Sequence, residues 1–455
     1  MTKPQSTSAA RAIVLAAGLG TRMKSRWPKV LHKVAGRSLV GHVLSALEAA
    51  GVKRSIVVIS EDAKQVEEAV APHSVAVQAR QLGTGDAVRS ALPLLGQDDQ
   101  DVLVLFGADP LIQPETISRM IERRRGPDNP AVVVLGFRSR DPGNYGRLIT
   151  GDDGNLEAIV EAGDATEDEA RIDLCNSGIM AISGTRLKSL IARLGNNNAK
   201  GEYYLTDIVA LARQDGASCA WVEGDSDELL GVDTRADLAE AERLMQVRLR
   251  QRAMDGGATL VDPLSVFFSF DTAVRQDVII GPNVVFGPGV TLADNVEVRA
   301  FSHIEGATVS EGAIIGPFAR LRPGADIGRD ARVGNFVEVK NAILGEGAKA
   351  NHLSYVGDAD VGAKANIGAG TITCNYDGFL KSRTGIGEGA FIGSNTALVA
   401  PVNIGEGAIV GAGSTISKDV AADELAVTRA PQKAIKGWAT RFRADRQAKK
   451  NALKE

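Results

Sequence analysis

The sequence predicts two fold classes in series: an α/β, Rossmann-like domain with a mostly parallel sheet, then a connecting helix, then a parallel β-helix of six-residue repeats. Three observations carry this. Short apolar runs alternate with helical stretches in the first half of the chain. One uninterrupted segment rich in Ala, Leu, Arg and Glu follows. Beyond it, apolar residues recur every six positions in a glycine-rich background.

In the first part, Ala12–Leu15, Ser55–Ile59, Val102–Phe106 and Ala131–Phe137 read as short buried strands. Leu39–Ala50 and Ala63–Val70 read as helices between them, which is the pattern of a parallel sheet covered by helices. Arg235–Met254 reads as one long helix stopped by Gly256-Gly257, a solvated connector without chemistry of its own. The resulting division is 1–232, 233–256 and 257–455, the last ending in a basic tail from Trp438.

The repeat runs through Ile280, Phe286, Leu292, Val298 and Ile304, slips once, and resumes as Ile315, Leu321, Ile327, Val333 and Val339. It continues through Leu344, Ala350, Val356, Val361 and Ile367, breaks at the polar loop Asn375–Arg383, and resumes from Ile386 to Ile416. A period of six fits neither a 3.6-residue helix nor simple strand alternation. It fits a triangular β-helix in which each side sends one apolar side chain to the axis. Glycine, 50 of 455 residues, is concentrated there, where corners need unusual backbone angles.

Composition narrows the function. With 455 residues the chain has room for two or three domains, and 52 basic against 56 acidic side chains argue against nucleic acid as a partner. No run of about 18 apolar residues is present, so no membrane span is expected. The opening MTKPQSTSAAR reads as a short disordered lead and not a signal peptide. Three scattered cysteines, Cys175, Cys219 and Cys374, offer neither a disulfide framework nor a zinc site, as expected in the cytoplasm.

Two sets of residues carry chemistry. After the first strand comes Leu15-Ala16-Ala17-Gly18-Leu19-Gly20-Thr21-Arg22-Met23, then Pro28-Lys29. Small residues at a strand's carboxyl end let backbone N–H groups approach phosphates, and Arg22 and Lys29 add positive charge. The loop is neither a Rossmann fingerprint, since Met23 replaces the third glycine, nor a Walker loop. In the β-helix, Arg322 and Lys340 are eighteen apart and Asn335 and His352 seventeen apart, so about one coil separates each pair. Charged and amide side chains are expected to gather on one edge, beside Tyr355 and Asn375 where the repeat breaks. His352 is of the residue type most often used as a general base, and Cys374 needs no nucleophilic role.

The loop with T-R-M and P-K resembles the sugar-1-phosphate nucleotidylyltransferases, and the repeats resemble the hexapeptide acyltransferases. Gln78–Thr84, Tyr145-Gly146-Arg147, Ile159-Val160-Glu161 and Asn176–Ile179 narrow the resemblance to bifunctional enzymes joining the two. The resemblance implies a left-handed β-helix, a homotrimer, and synthesis of UDP-N-acetylglucosamine. Acetyl-CoA would acetylate glucosamine-1-phosphate, and UTP would then react with the product, with Mg2+ as cofactor. It implies that Leu15, Ala16, Ala17, Gly18, Arg22 and Lys29 hold the nucleotide phosphates, and that Phe106 and Gly107 also line the nucleotide site. Gln78, Gly83 and Thr84 would read uracil, while Gly146, Glu161 and Asn176 would hold the sugar. In the second site it implies His352 as base with Asn375 beside the thioester. Arg322, Lys340, Tyr355 and Asn366 would hold the sugar phosphate. Ala369, Tyr376, Ser394, Ala412 and Arg429 would line an acetyl-CoA groove between subunits.

At the metal the sequence departs from the family's aromatic-Gly-Asp-x-Pro: it reads Phe106-Gly107-Ala108-Asp109-Pro110, with the carboxylate one residue late. Either the loop returns Asp109 to the metal beside Asp233, or the uridylyl step is impaired. Two other readings remain at this stage. One is a single nucleotidylyltransferase with a structural β-helix, which has no need of His352, Lys340 and Asn375. The other is a non-enzymatic exchange-factor subunit, which the intact Gly18–Arg22 loop opposes.

Overall fold

The computed structural model describes residues 10–96 and 100–453; the expected N-terminal lead falls on residues 1–9, outside them. The chain divides into two compact units, one comprising Met1–Arg252 with Phe267–Phe270, the other Ala253–Val266 with Asp271–Glu455.

The first unit is built on strands β1 (Arg11–Leu15), β2 (Arg54–Ser60), β3 (Ser74–Gln78), β4 (Val102–Phe106), β5 (Val132–Arg138), β6 (Arg147–Thr150), β7 (Leu156–Val160), β8 (Leu174–Ile182) and β9 (Cys219–Glu223). The sheet order is β9-β5-β8-β4-β1-β2-β3, with β6 and β7 as a side hairpin off β8. β1 runs parallel to both of its neighbours, β2 and β4, while β8 is antiparallel to β4 and β5. Both faces are dry. Ala12 and Val14 enter one hydrophobic cluster, Ile13 and Leu15 the other, so the strand is apolar at every position. Because the chain crosses over on either side of β1, a crevice opens beyond that strand's carboxyl end.

The long helix, Arg235–Asp255, corrects the expectation of a solvated connector. Ala241, Leu244, Met245, Gln246, Leu249 and Arg250 on it are buried. Gln246 donates to the Phe268 carbonyl at 2.7 Å and accepts from the Phe268 N–H at 2.8 Å. Phe270 donates to the Ala35 carbonyl at 2.8 Å and lies 3.8 Å under the Arg37 guanidinium. The helix therefore packs within the first unit and clasps the returning segment Phe267–Phe270.

In the second unit, strands of two to four residues form three parallel sheets of ten, eight and eight strands. We call them face one (Thr259–Leu260 to Leu425–Ala426), face two (Val285–Phe286 to Thr415–Ile416) and face three (Ala273–Val274 to Val402–Ile404). Every apolar residue of the six-residue repeat, from Ile280 to Ile416, is buried. The slips in phase have a physical reason. Val309 and Thr373 fill the missing axial positions, and Asn375–Arg383 leaves the ladder as a loop. The basic tail is a helix, Trp438–Ala452, exposed along its whole length.

Candidate active sites

In the first unit, Leu15 ends β1 and the chain passes through Ala16–Gly18 over the sheet edge, tied by Ala16 N–H to the Val58 carbonyl at 2.8 Å. Gly20 sits at φ +60, and a Cβ there would lie 2.7 Å from Lys29 Cβ, so the glycine lets the loop close onto Lys29. Lys29 Nζ meets Asp233 Oδ1 at 2.7 Å, and Arg22 meets Asp233 Oδ2 at 3.0 Å. The two cations and Asp233 are thus gathered at the crevice, as expected. Asp237, which sequence reasoning missed, accepts from the Asp233 and Thr234 N–H groups and fixes this turn.

Asp109 is buried, and among the described residues its carboxylate has no hydrogen-bond or ion-pair partner. It faces the backbone of the Asp233 turn: a Cβ on Gly231 would lie 3.3 Å from its Oδ1, and Val232 N–H donates to the Ala108 carbonyl at 2.9 Å. Burial pushes its pKa up to about 7; Lys29 pulls it down and Asp233 pushes it up. An unpartnered buried carboxylate beside a second carboxylate suits a hard divalent cation. Among the described residues no group of three or more His, Cys, Asp or Glu side chains forms a metal cluster.

Gln78 at the end of β3 is buried; its Nε2 donates to the Gly83 carbonyl at 3.1 Å and to Asp86 at 2.9 Å. That leaves Oε1 as an acceptor for an imide N–H. Gly83 packs on Tyr203, and Thr84 Oγ accepts from Leu205 N–H at 3.0 Å. Asn176 lies at the bulge of β8, between Asn176 and Met180, where its N–H donates to the Gly146 carbonyl at 2.8 Å. Glu161 accepts from Thr206 at 3.2 Å. Phe106 packs against Gly178, and Gly107 N–H bonds the Leu15 carbonyl at 2.9 Å.

The second site departs from expectation. His352 ends a face-one strand in register with Asn335, and its Nδ1 is 2.7 Å from Asn335 Oδ1. One corner column continues upward from there. Gly370 N–H bonds the His352 carbonyl, Asn395 N–H that of Ala369, Gly413 N–H that of Ser394, and Arg429 Nη1 reaches that of Ala412 at 2.6 Å. His352, Ala369, Ser394, Ala412 and Arg429 thus share the corner between faces one and two.

Arg322, Lys340, Asn375 and Tyr376 do not lie there. They stand toward the corner between faces two and three, with Tyr355 on face two pointing its hydroxyl to Asn375 Nδ2 at 3.5 Å. The single expected edge is two edges of face two, because stacking by seventeen or eighteen residues aligns each pair with itself but not one pair with the other. Asn366 stands apart again, on face one in register with Lys349.

Two further residues join the second corner unannounced by the sequence. Asp358 accepts from Asn341 at 2.5 Å and from Asn375. Burial opposes its charge, but those amides and the Lys340 and Lys381 charges outweigh it and hold its carboxyl below the usual range. Lys381, in the inserted loop, lies against Lys340, whose nearby charge lowers the Lys381 pKa. Arg322 is held by Glu338 at 2.8 Å. Cys374 is half-buried, with its Sγ 4.0 Å from the Ile372 carbonyl.

Both units resemble known proteins. Residues 12–201 match the MobA-like NTP transferase domain model, and residues 271–306 and 383–418 match the bacterial transferase hexapeptide model. A bifunctional GlmU protein of Paramagnetospirillum magneticum is 60% identical over 438 residues, covering 96% of this chain and 97% of that one. Those of Rhodospirillum rubrum and Rhizorhabdus wittichii are 60% and 58% identical, covering 95% and 97% of this chain and 97% and 98% of theirs. With both halves matched and the alignment running nearly end to end, this chain belongs to the family of bifunctional GlmU proteins.

Proposed function

We propose how the residues divide between the two activities of this enzyme. As a GlmU protein the chain transfers acetyl from acetyl-CoA to glucosamine-1-phosphate and uridylyl from UTP to N-acetylglucosamine-1-phosphate, producing UDP-N-acetylglucosamine. The observation that carries the acetyl step is the His352–Asn335 contact. With Nδ1 donating to Asn335 Oδ1, the lone pair is left on Nε2. Nε2 takes the proton of the sugar amine as nitrogen attacks the thioester carbonyl, and the thiol of CoA leaves. One N–H of Asn375 is spent on Asp358; the other has only the long contact to Tyr355 and is available to the developing oxyanion. Lys340, Lys381, Arg322 and Tyr355 gather positive and donor groups for the sugar phosphate, with Asn366 on face one toward the sugar. The column Ala369, Ser394, Ala412 and Arg429 accepts the extended acetyl-CoA.

His352 and Asn375 stand at opposite edges of face two, so we place the site between copies, one supplying each edge. A homotrimer satisfies this with a closed ring of equivalent seams. The apolar ladder beside His352 supports it: Phe301, Phe318, Phe336 and Leu353 are each roughly half exposed on successive coils, the rings stacking at 4.9 and 5.2 Å.

In the first unit, the backbone of Leu15–Gly18 with Arg22 and Lys29 grips the triphosphate, and Gln78 Oε1 with Gly83 and Thr84 reads uracil. Gly146, Glu161 and Asn176 orient the sugar so that its phosphate oxygen is in line with the α-phosphorus and pyrophosphate departs. No covalent intermediate is needed, so positioning and charge dominate. Asp109 and Asp233 would hold Mg2+, which when bound neutralises charge on the phosphates. Assayed as separate half-reactions, His352→Ala should lose acetyl transfer by about 10²–10⁴-fold and keep uridylyl transfer. Equal loss of both would refute two separate sites.

A further inference from the structure

A cavity of about 240 Å³ opens on face one against His352, and no role has been given to it so far. Its walls include Arg299, Arg332, Asn335, Asn351 and His352, with Gly316 and Gly334 below. Gly334 lets the next coil pack closely here, since a Cβ there would strike the Asn351 backbone. None of its lining residues is acidic. The nearby Glu297 is spent on Arg299, at 2.9 Å from its Nε.

Arg332 is exposed and forms no ion pair among the described residues. Its register neighbour on the next coil is another cation, Lys349, and like charges side by side on a ladder repel. On the coil beyond stands Asn366, the residue placed toward the sugar. Arg332 thus brings uncompensated positive charge to a concave site with amide donors and no carboxylate in its lining, a combination that an anion relieves. The volume is below the roughly 300–1,000 Å³ of sites for larger ligands, which excludes a nucleotide and suits a phosphate or a hexose phosphate.

We propose that this cavity is a phosphate subsite of the acetyltransferase, set beside the base and built around Arg332. The proposal rests on reading His352 as that base. It adds a second phosphate position to the Lys340–Lys381 corner, on the opposite edge of face two. The guanidinium of Arg332 takes two phosphate oxygens, Arg299 offers its remaining N–H groups, and the amides of Asn335 and Asn351 complete the shell.

The test uses the full chain in crystals soaked with arsenate, a phosphate analogue located by its anomalous scattering. An arsenate peak between Arg299 and Arg332, absent in Arg332→Ala and retained in Arg332→Lys, supports the subsite. Occupancy of the Lys340 corner without any peak here overturns it. Kinetics then separate the sources. If the ligand is the sugar phosphate, Arg332→Ala raises KM for glucosamine-1-phosphate about tenfold or more at unchanged kcat, and Arg332→Lys recovers part of it. A peak with unaltered KM means free phosphate occupies the site. Because the peak reads binding and not turnover, it stands or falls separately from the loss of acetyl transfer in His352→Ala.

Discussion

Asp109 shows how one residue's surroundings set its chemistry. Its carboxyl is raised from 3.8 to about 7 by burial, so below pH 4 both the folded and unfolded chains carry it protonated. Between those values the unfolded chain ionises first, and stability falls as pH rises through the interval, by up to about 4 kcal/mol at 1.36 kcal/mol per unit. Asp109→Asn should therefore melt higher than the parent in metal-free buffer above pH 7, with little difference near pH 4. If the carboxylate holds Mg2+, the same substitution raises the magnesium concentration needed for half-maximal uridylyl transfer; an unchanged requirement shows the carboxylate idle there. The proposed phosphate loop, with Gly18, Arg22 and Lys29, was legible as a candidate because these residues follow one strand within fifteen positions. Asp358 and Lys381 were not. Their partners come from other coils and from a loop of irregular length, which no fixed spacing announces.

At the scale of elements, the clearest lesson comes from Arg235–Asp255. Its composition made the helix plain, but charge on every turn concealed which side is covered. The covering segment, Phe267–Phe270, returns from beyond the helix and is invisible to local pattern. Gln246 is its clasp. Gln246→Ala removes two buried hydrogen bonds to the Phe268 backbone and should cost about 1–3 kcal/mol, read as a lower urea midpoint of the first unit. A midpoint within experimental error of the parent would mean that the segment is held by Phe270 and Arg37 instead. The β-helix was readable to the residue along its axis, since each inward position must be apolar. Its outward faces carry no such constraint, and the grouping of His352 with Asn375 on one edge failed for that reason.

For the whole molecule, two activities with different needs share one chain. The proposed nucleotide site lies within the first unit, whereas the proposed acetyl site draws on two edges of face two. Dilution below the concentration at which copies separate should therefore abolish acetyl transfer per chain and spare uridylyl transfer. Phe318→Asp, placing charge in the exposed ladder, should produce the same split at higher concentration, with a monomer by light scattering. A monomer that retains acetyl transfer would place the whole site within one chain.

The coils bond only to those directly above and below, and this limits where the sequence can change length. Coils of eighteen and of seventeen residues stack in register, so a rung gives up a residue only where its axial side chain stays in place. Additions survive only where they bulge clear of the stack, as Asn375–Arg383 does. Added length in this half of the protein is thus confined to its outer vertices, where it leaves the axial packing untouched.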